Sequence, residues 1–541
     1  MHHQSHARGR FWKRTTTLLT TVAAVAALVL TGCTAAPPAE SATTGGSLRI
    51  ATPDGVPAAF NLGSAYPLST LTFYEVAWPL FLPSQTDFDI ENGLADSYER
   101  SDDGLVHTIG IREGMTFHDG SPIDAASIVE VLDSYFFADS PLRDEGAYSI
   151  VSGAFGSPPT IASVEASDDL TVEVTLTEPR ADIRDPLFQM PIMNPRIMAQ
   201  EGWDTDVELL GQAGSGPFRI TNFSPGAFVE FERYEDFIEP VSLDRLRIEQ
   251  IVDPAARALA VQSGTVDVAL ELTPEDHVRL AGTEGFQEHA SQAGNNVFMR
   301  LLPPHLPQLD DPRVREAIGL AMNIDAYREA FLNPATAQAS TQPVVVAGVA
   351  GHDQSIPAHE YDPEKAQELL EEAGVTDLTL RTLTMETSGP LLELRAMHEA
   401  VAADLEAVGI TVELDVVDQP TYFAERYNYD YEILWYGNGY NPDFIFRLFY
   451  LGYPTPWSEP YPLADPRVAQ LMQEATTSID RDQQIADWQE LQRLNHDELF
   501  VGVPIADVGS SAISTAQVHG FELGWSDRGK LAWLFQDTTV G

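Results

Sequence analysis

The sequence predicts a mixed α/β fold assembled from more than one domain-sized unit. A β-α-β series runs from about residue 375 to 437, the signature of an α/β unit with a partly parallel sheet. Strand-like alternation and helix-like periodicity alternate along the whole chain instead of segregating into blocks. The 541 residues, 44% of them hydrophobic, fill about three units at roughly 100–200 residues each and supply a large core.

The first segment is read as an address. Residues 1–14 carry Arg8, Arg10, Lys13 and Arg14 and no acid. The run Leu18 to Leu30 is uncharged and mostly apolar, the length of a signal-peptide core and short of a membrane span. It ends in Leu30-Thr31-Gly32-Cys33, which resembles a bacterial lipobox, so residues 1–33 are expected to be removed and Cys33 to carry lipid on the outer face of the cell membrane. No adjacent Arg pair precedes the run, which favours the general export route over the twin-arginine one. Thr34 to Ser47 is small, polar and Pro-containing, and residues 34–45 are expected to be a flexible tether. No later run reaches 18 apolar residues.

The elements of the folded part follow from local pattern. Leu105 to Ile111 and Leu170 to Leu176 alternate apolar and polar, as half-buried strands do, and Ser167-Asp168-Asp169 is a turn signal before the second. Pro363 to Ala373 predicts a helix: Asp362 caps it, Pro363 suits its first turn, Ala366, Leu369, Leu370 and Ala373 form one stripe, and Gly374 ends it. Leu378 to Leu383 reads as a strand, Leu391 to Val408 as an amphipathic helix ended by Gly409, and Ile410 to Val416 as a second strand. Tyr431 to Tyr436 is nearly continuous and apolar, the pattern of a strand buried on both faces. No fixed-period repeat is present.

Charge and cysteine usage exclude several function classes. With 31 basic and 81 acidic residues the net charge is −50, which repels a phosphate backbone and argues against nucleic-acid partners. Removal of residues 1–33 takes away four basic residues and no acid and deepens the net charge to −54. One cysteine rules out an intrachain disulfide framework and a Cys-based zinc site. No G-x-S-x-G elbow, P-loop, complete G-x-G-x-x-G or H-E-x-x-H occurs, so neither an enzyme, a cofactor nor a metal site is predicted. Phe117-His118-Asp119-Gly120 invites a catalytic reading, but Asp-Gly-Ser-Pro is turn chemistry and His118 is expected to bond turn backbone. His2, His3 and His6 fall in the segment expected to be removed. Paired carboxylates among so many acids leave a secreted hydrolase of peptides or glycans as the alternative of another class.

The candidate ligand site is the stretch Trp435, Tyr436, Gly437, Asn438, Gly439, Tyr440, Asn441, Pro442 and Asp443. It follows the strand predicted at 431–436, and ligands of open α/β sheets collect at the C-terminal ends of strands. The two glycines allow close approach of backbone, and the aromatics supply apolar walls that still hydrogen-bond.

Several motifs, in order, carry a resemblance. Gly93-Leu94-Ala95-Asp96-Ser97 leads to Ser101-Asp102-Asp103-Gly104-Leu105, and Ile111-Arg112-Glu113-Gly114-Met115-Thr116-Phe117-His118-Asp119-Gly120-Ser121-Pro122 follows. Then come Gly214-Ser215-Gly216-Pro217-Phe218, Ala260 to Asp267, Asp311-Pro312-Arg313-Val314-Arg315, Tyr361 to Ala366, and Asp465-Pro466-Arg467-Val468. Behind a lipobox, this chain resembles the extracellular solute-binding proteins of family 5, the oligopeptide-, dipeptide- and nickel-binding lipoproteins of ABC importers.

The resemblance implies a two-lobed periplasmic-binding-protein-like fold (type II, cluster C), closing by a hinge on its ligand. Lobe I would take 46–90, 210–292 and 508–541, an extra subdomain 91–209, and lobe II 293–507. It also implies a monomer that hands a small solute, an oligopeptide first, to permease and ATPase subunits. Peptide-binding members place an Asp in the loop for the ligand's α-ammonium, where this chain has Asn438; Asp443 is the nearby substitute. Oligosaccharide and nickel-chelate ligands therefore stay open as alternatives within the family.

Overall fold

The computed structural model describes residues 45–62, 70–84, 90–143, 155, 159–301, 306–386, 393–418, 421–422, 425, 431–438, 446, 449–450, 465–524 and 537–541. The predicted signal segment, Cys33 and residues 34–44 of the predicted tether lie outside them. Gly45 and Gly46 lie inside and are pinned: Gly45 N donates to Ser242 O at 2.8 Å and Gly46 N to Asp244 Oδ2 at 3.0 Å. The first strand, Ser47–Thr52, continues directly from them, so the Gly45–Ser47 end of the tether reading is corrected to folded chain.

Among the described residues three larger sheets form. A seven-stranded sheet runs in the order Phe286–Ala290, Ser511–Thr515, Val268–Leu270, Ser47–Thr52, Arg245–Gln250, Phe228–Arg233 and Phe218–Ser224. Leu48 and Ile50 face the largest apolar cluster, while Ala51 on the opposite face packs with Val261 and Leu280 from the helices Pro254–Gln262 and Pro274–Ala281. This is the period-2 alternation of a sheet covered on both faces. A four-stranded antiparallel sheet, Ala95–Arg100, Val106–Ile111, Thr171–Leu176 and Ile161–Asp168, shares the first cluster through Ile109, Val172 and Val174. The helix Ala125–Phe136 packs on it, started by a capping box between Asp124 and Ser127.

The six-stranded sheet runs Ala337–Gln338, Gly502–Val508, Asn295–Leu301, Ile433–Asn438, Leu378–Thr384 and Ile410–Val416. Its β-α-β part follows the predicted pattern: Leu378–Thr384 pairs parallel with Ile410–Val416 across the helix Leu394–Ala407. The helix Pro363–Glu372 has the predicted Asp362 cap, with Oδ1 accepting from Lys365 N at 2.9 Å. Gly374 ends it at φ +71, a left-handed value that a side chain would strain. The strand predicted over 431–436 is observed as Ile433–Asn438, and it pairs antiparallel with Asn295–Leu301, so the sheet is mixed. Asn295–Leu301 is buried throughout: Val297, Met299 and Leu301 face the helices Pro312–Leu320 and Leu394–Ala407, while Phe298 faces Pro466–Thr477 and Arg481–Leu494.

Among the described residues the chain passes between the seven- and six-stranded sheets twice, side by side. Residues 291–294 lead out and Gly509-Ser510 lead back. Ser291 N donates to Ser510 O at 2.9 Å, Ser510 N to Ser291 Oγ at 2.8 Å and Gly294 N to Val508 O at 3.2 Å. A Cβ at Gly509 would meet Ser291 O at 2.6 Å and Gln292 O at 2.7 Å, so only glycine lets the two crossings lie this close.

Candidate functional site

Register sorts the predicted site residues onto two faces of the six-stranded sheet. Trp435 stands opposite Met299, on the side that packs on Pro312–Leu320 and Leu394–Ala407, and Gly437 opposite Val297. Tyr436 pairs with Phe298, whose own side packs on Pro466–Thr477 and Arg481–Leu494, and Asn438 pairs with Asn296. Trp435 is buried and stacks on His398 at 3.8 Å between ring centroids, and its backbone oxygen accepts from Tyr422 Oη at 3.0 Å. This aromatic, predicted as a ligand wall, is therefore packed in the core beneath the site. Strand alternation is the reason: neighbouring residues cannot both face one side. His398 Nδ1 shares a hydrogen bond of 2.6 Å with Thr384 Oγ1, and burial pushes its pKa down to about 3. Gly439, Tyr440, Asn441 and Asp443 lie outside the described residues.

The row on the Asn438 side continues to a third strand. Asn296 stands opposite both Asn438 and Asp507, so Asp507, Asn296 and Asn438 line up across three adjacent strands at the end next to the crossings. Residues directly opposite in an antiparallel ladder share a face. Asn296 Nδ2 donates to Asp507 Oδ1 at 2.6 Å, to Ser340 Oγ at 2.9 Å and to Gln342 O at 3.1 Å. Asn296 Oδ1 and both amide atoms of buried Asn295 make no hydrogen bond among the described residues. Such unsatisfied buried amides cost stability and are uncommon outside functional sites.

Asp507 is buried with no cationic partner among the described residues. Burial pushes its carboxyl up to about 6 against the opposing hydrogen bonds of Asn296, Ser340 and the Ala347 backbone. A buried carboxylate held by neutral donors is poised to take a cation. Motif reading passed over Asp507, although it is a lone acid in the apolar run Val501 to Val508, which is itself a signal.

Aromatic side chains connect this face to the other sheets. Tyr74 and Phe188 stack at 5.6 Å and 8°, Tyr74 Oη donates to Phe188 O at 3.1 Å, and both join the cluster of Phe298, Val344 and Val345. Glu75, next to Tyr74, is wholly buried and neither carboxylate oxygen is hydrogen-bonded among the described residues; burial pushes its carboxyl well above the usual range, favouring the neutral acid. Outside the cluster, Arg100 Nη1 donates to Ile479 O at 2.8 Å and Arg481 lies 3.6 Å from Asp185.

His118 has a structural role. Its Nε2 donates to Gly216 O at 2.9 Å and its backbone N to Gly214 O at 2.9 Å, so two of the ordered sequence motifs meet in space. The turn itself is held by Asp119 Oδ1, which accepts from Ser121 N at 2.8 Å. His118 thus bonds the 214–216 segment instead of its own turn, and burial lowers its pKa to about 4. Among the described residues no nucleophile is hydrogen-bonded to it, so no triad is formed there. Among the described residues no group of three or more His, Cys, Asp or Glu is placed to hold a metal ion.

A family model described as bacterial extracellular solute-binding proteins, family 5 Middle, matches residues 89–457. The glutathione-binding protein GsiB of Salmonella paratyphi A is 29% identical over 298 residues, 54% of each chain. The chain thus spans about half the length of the curated relatives it matches. Among solved structures, DppA from Helicobacter pylori in complex with the peptide STSA has a TM-score of 0.77 at 21% identity, covering 92% of this chain and 98% of that one. NikA from Brucella suis in complex with Fe(III)-EDTA has a TM-score of 0.77 at 19% identity, covering 92% and 100%. These likenesses establish the two-lobed periplasmic-binding-protein fold. By the match over most of its length, the chain belongs to the bacterial extracellular solute-binding proteins of family 5.

Proposed function

We propose that the chain is the exported, lipid-anchored receptor of an ABC importer, capturing small peptides, glutathione among them, between its lobes for delivery to the permease and ATPase subunits. Lobe I comprises 46–90, 210–292 and 508–541, the extra subdomain 91–209 and lobe II 293–507. Residues 1–33 form the lipoprotein signal, Cys33 carries the lipid, and the chain works as a monomer.

The observation that carries this reading is the polar row Asp507–Asn296–Asn438 beside the paired crossings. A hinge with a buried, unneutralised carboxylate at its edge suits a ligand that brings an ammonium group. Asp507 then supplies the charge missing at Asn438, and residues 436–443 contribute the rest of the ligand wall. The name of the glutathione-binding relatives supports a peptide-like solute. Binding drives closure only as far as the ligand prefers the closed state.

The test is titration with dipeptides to pentapeptides, glutathione, malto-oligosaccharides and a nickel chelate, read by intrinsic Trp fluorescence and by Tm. A peptide or glutathione at 100 times its Kd is expected to stabilise the protein by about 2.7 kcal/mol. A response confined to the oligosaccharides or the chelate overturns the peptide assignment, and no response to any of them overturns solute capture.

A further inference from the structure

A second cavity, of about 530 Å³, lies in lobe II away from the hinge. It opens beside the Gly502–Pro504 end of the strand whose other end carries Asp507, about 13 Å away at roughly 3.3 Å per residue. Leu320, Pro343, Phe500, Val503 and Pro504 give it an apolar wall.

Arg315 lines this cavity and is more than nine-tenths buried. Its Nε donates to Leu499 O at 2.5 Å, and its Nη1 to Leu309 O at 2.5 Å and Asp310 O at 3.0 Å. Its Nη2 makes no hydrogen bond among the described residues, yet it is not among the fully enclosed polar atoms, so it reaches open space. The three acceptors are neutral carbonyls, so the guanidinium charge has no carboxylate bound to it. Of the acids beside it in sequence, Asp311 is engaged by Arg313 at 2.6 Å.

The remaining charges of the cavity sit at its rim. Glu316 pairs with Lys365 at 3.4 Å, His496 with Asp497 at 2.7 Å, and Glu360 is exposed. His359 Nε2 donates to Gly319 O at 2.9 Å. The interior therefore offers one cation with no carboxylate bonded to it, Asp310 and Asp311 acting on it only through space, against an apolar wall.

We propose that this cavity is a second small-molecule site, independent of the inter-lobe cleft, which takes a monocarboxylate with an apolar body. The carboxylate accepts from Arg315 Nη2, and the body lies along Phe500, Val503 and Pro504. A charged acceptor makes the stronger kind of hydrogen bond to a guanidinium, and burial protects it from water.

The test uses the full chain and isothermal titration with octanoate and its neutral counterpart octanol. Octanoate is expected to bind at one site and octanol at least tenfold more weakly. Gly319 gives a variant that fills the cavity and spares its charge. A Cβ there meets His359 Cε1 at 3.6 Å and Val503 Cγ2 at 3.7 Å, ordinary contacts, so Gly319→Leu is expected to fold with an unreduced Tm and to lose octanoate binding. Arg315→Gln is expected to abolish the preference for the acid over the alcohol. If that variant fails to fold, the octanoate-to-octanol comparison on the unaltered chain decides the point. Equal affinity for acid and alcohol, undiminished binding by folded Gly319→Leu, or displacement of octanoate by glutathione overturns the proposal. Failure of every peptide to bind would overturn the cleft reading and leave this site standing.

Discussion

Asp507 shows how one buried charge can link stability to ligand choice. Its folded pKa of about 6 lies above the ordinary Asp value of about 3.9. Between those two pH values the native state holds more protons than the unfolded chain, so this group's contribution to stability falls as pH rises through that window. At neutral pH the ionised group costs about 3 kcal/mol at 1.36 kcal/mol per pKa unit. Asp507→Asn is therefore expected to raise Tm at pH 7.5 and leave it little changed at pH 4. The same change should weaken a free-amine peptide by about tenfold or more, since a charge-assisted hydrogen bond is lost. Calorimetry at the two pH values and titration with a peptide and its N-acetylated form check both halves; an acetylated peptide that binds unaltered protein equally well removes Asp507 from ligand recognition. At this scale the sequence was only partly informative. His118 was legible as structural because Asp-Gly-Ser-Pro fixes a local turn. Its partner at Gly216 lies 98 residues away, and no local pattern points to it. Trp435 was misplaced because composition marks an aromatic as a good wall but does not say which face of the strand it takes.

At the scale of elements, local chemistry was enough to place helices and strands. The Asp362 cap, the Pro363 start and the Gly374 stop delimit Pro363–Glu372, and alternation places Ile410–Val416 at its predicted bounds. Pairing was not legible in this way. Asn295–Leu301 is buried at every position and carries no alternation, and its neighbours come from Ile433–Asn438 and Gly502–Val508, more than a hundred residues on. The paired crossings were equally hidden, because they are two short segments that only the completed sheets bring together. Gly509 is their most restrictive position. Gly509→Val places a Cβ within 2.7 Å of two backbone oxygens, so the crossings must separate. The expected cost is about 1–3 kcal/mol of stability, with a change in ligand affinity, although the residue touches no predicted ligand contact. Urea unfolding and peptide titration of the variant provide the check; unchanged stability would mean the crossings move freely past one another.

Across the whole molecule, acid is expected to be the destabilising condition. Burial lowers His107 and His118 to about 4 and His398 to about 3. Their unfolded pKa is near 6.5, so the unfolded chain takes up protons first and stability falls as pH drops from 6.5 towards 4. Asp507 and Glu75 act in the opposite direction, and the three buried imidazoles are expected to outweigh them. Urea midpoints at pH 7 and pH 4.5 should therefore differ, with the lower value at pH 4.5. A midpoint that is flat or higher in acid would show that these imidazoles are not held neutral. Net charge argued against nucleic acid, motif reading gave no enzyme signature, and ordered motifs pointed to the family. The arrangement of two lobes about paired crossings needed the folded chain. The central claim is that the lobes close on a small peptide about residues 291–294 and 509–510. It is tested most directly by an inter-lobe distance. Spin labels at Val252→Cys and Val416→Cys, exposed positions of lobes I and II, in a Cys33→Ser background serve the measurement. A shifted and narrowed distance distribution on addition of a bound peptide or glutathione is the predicted result. An unchanged distribution at a saturating concentration of a ligand that calorimetry shows to be bound would contradict it.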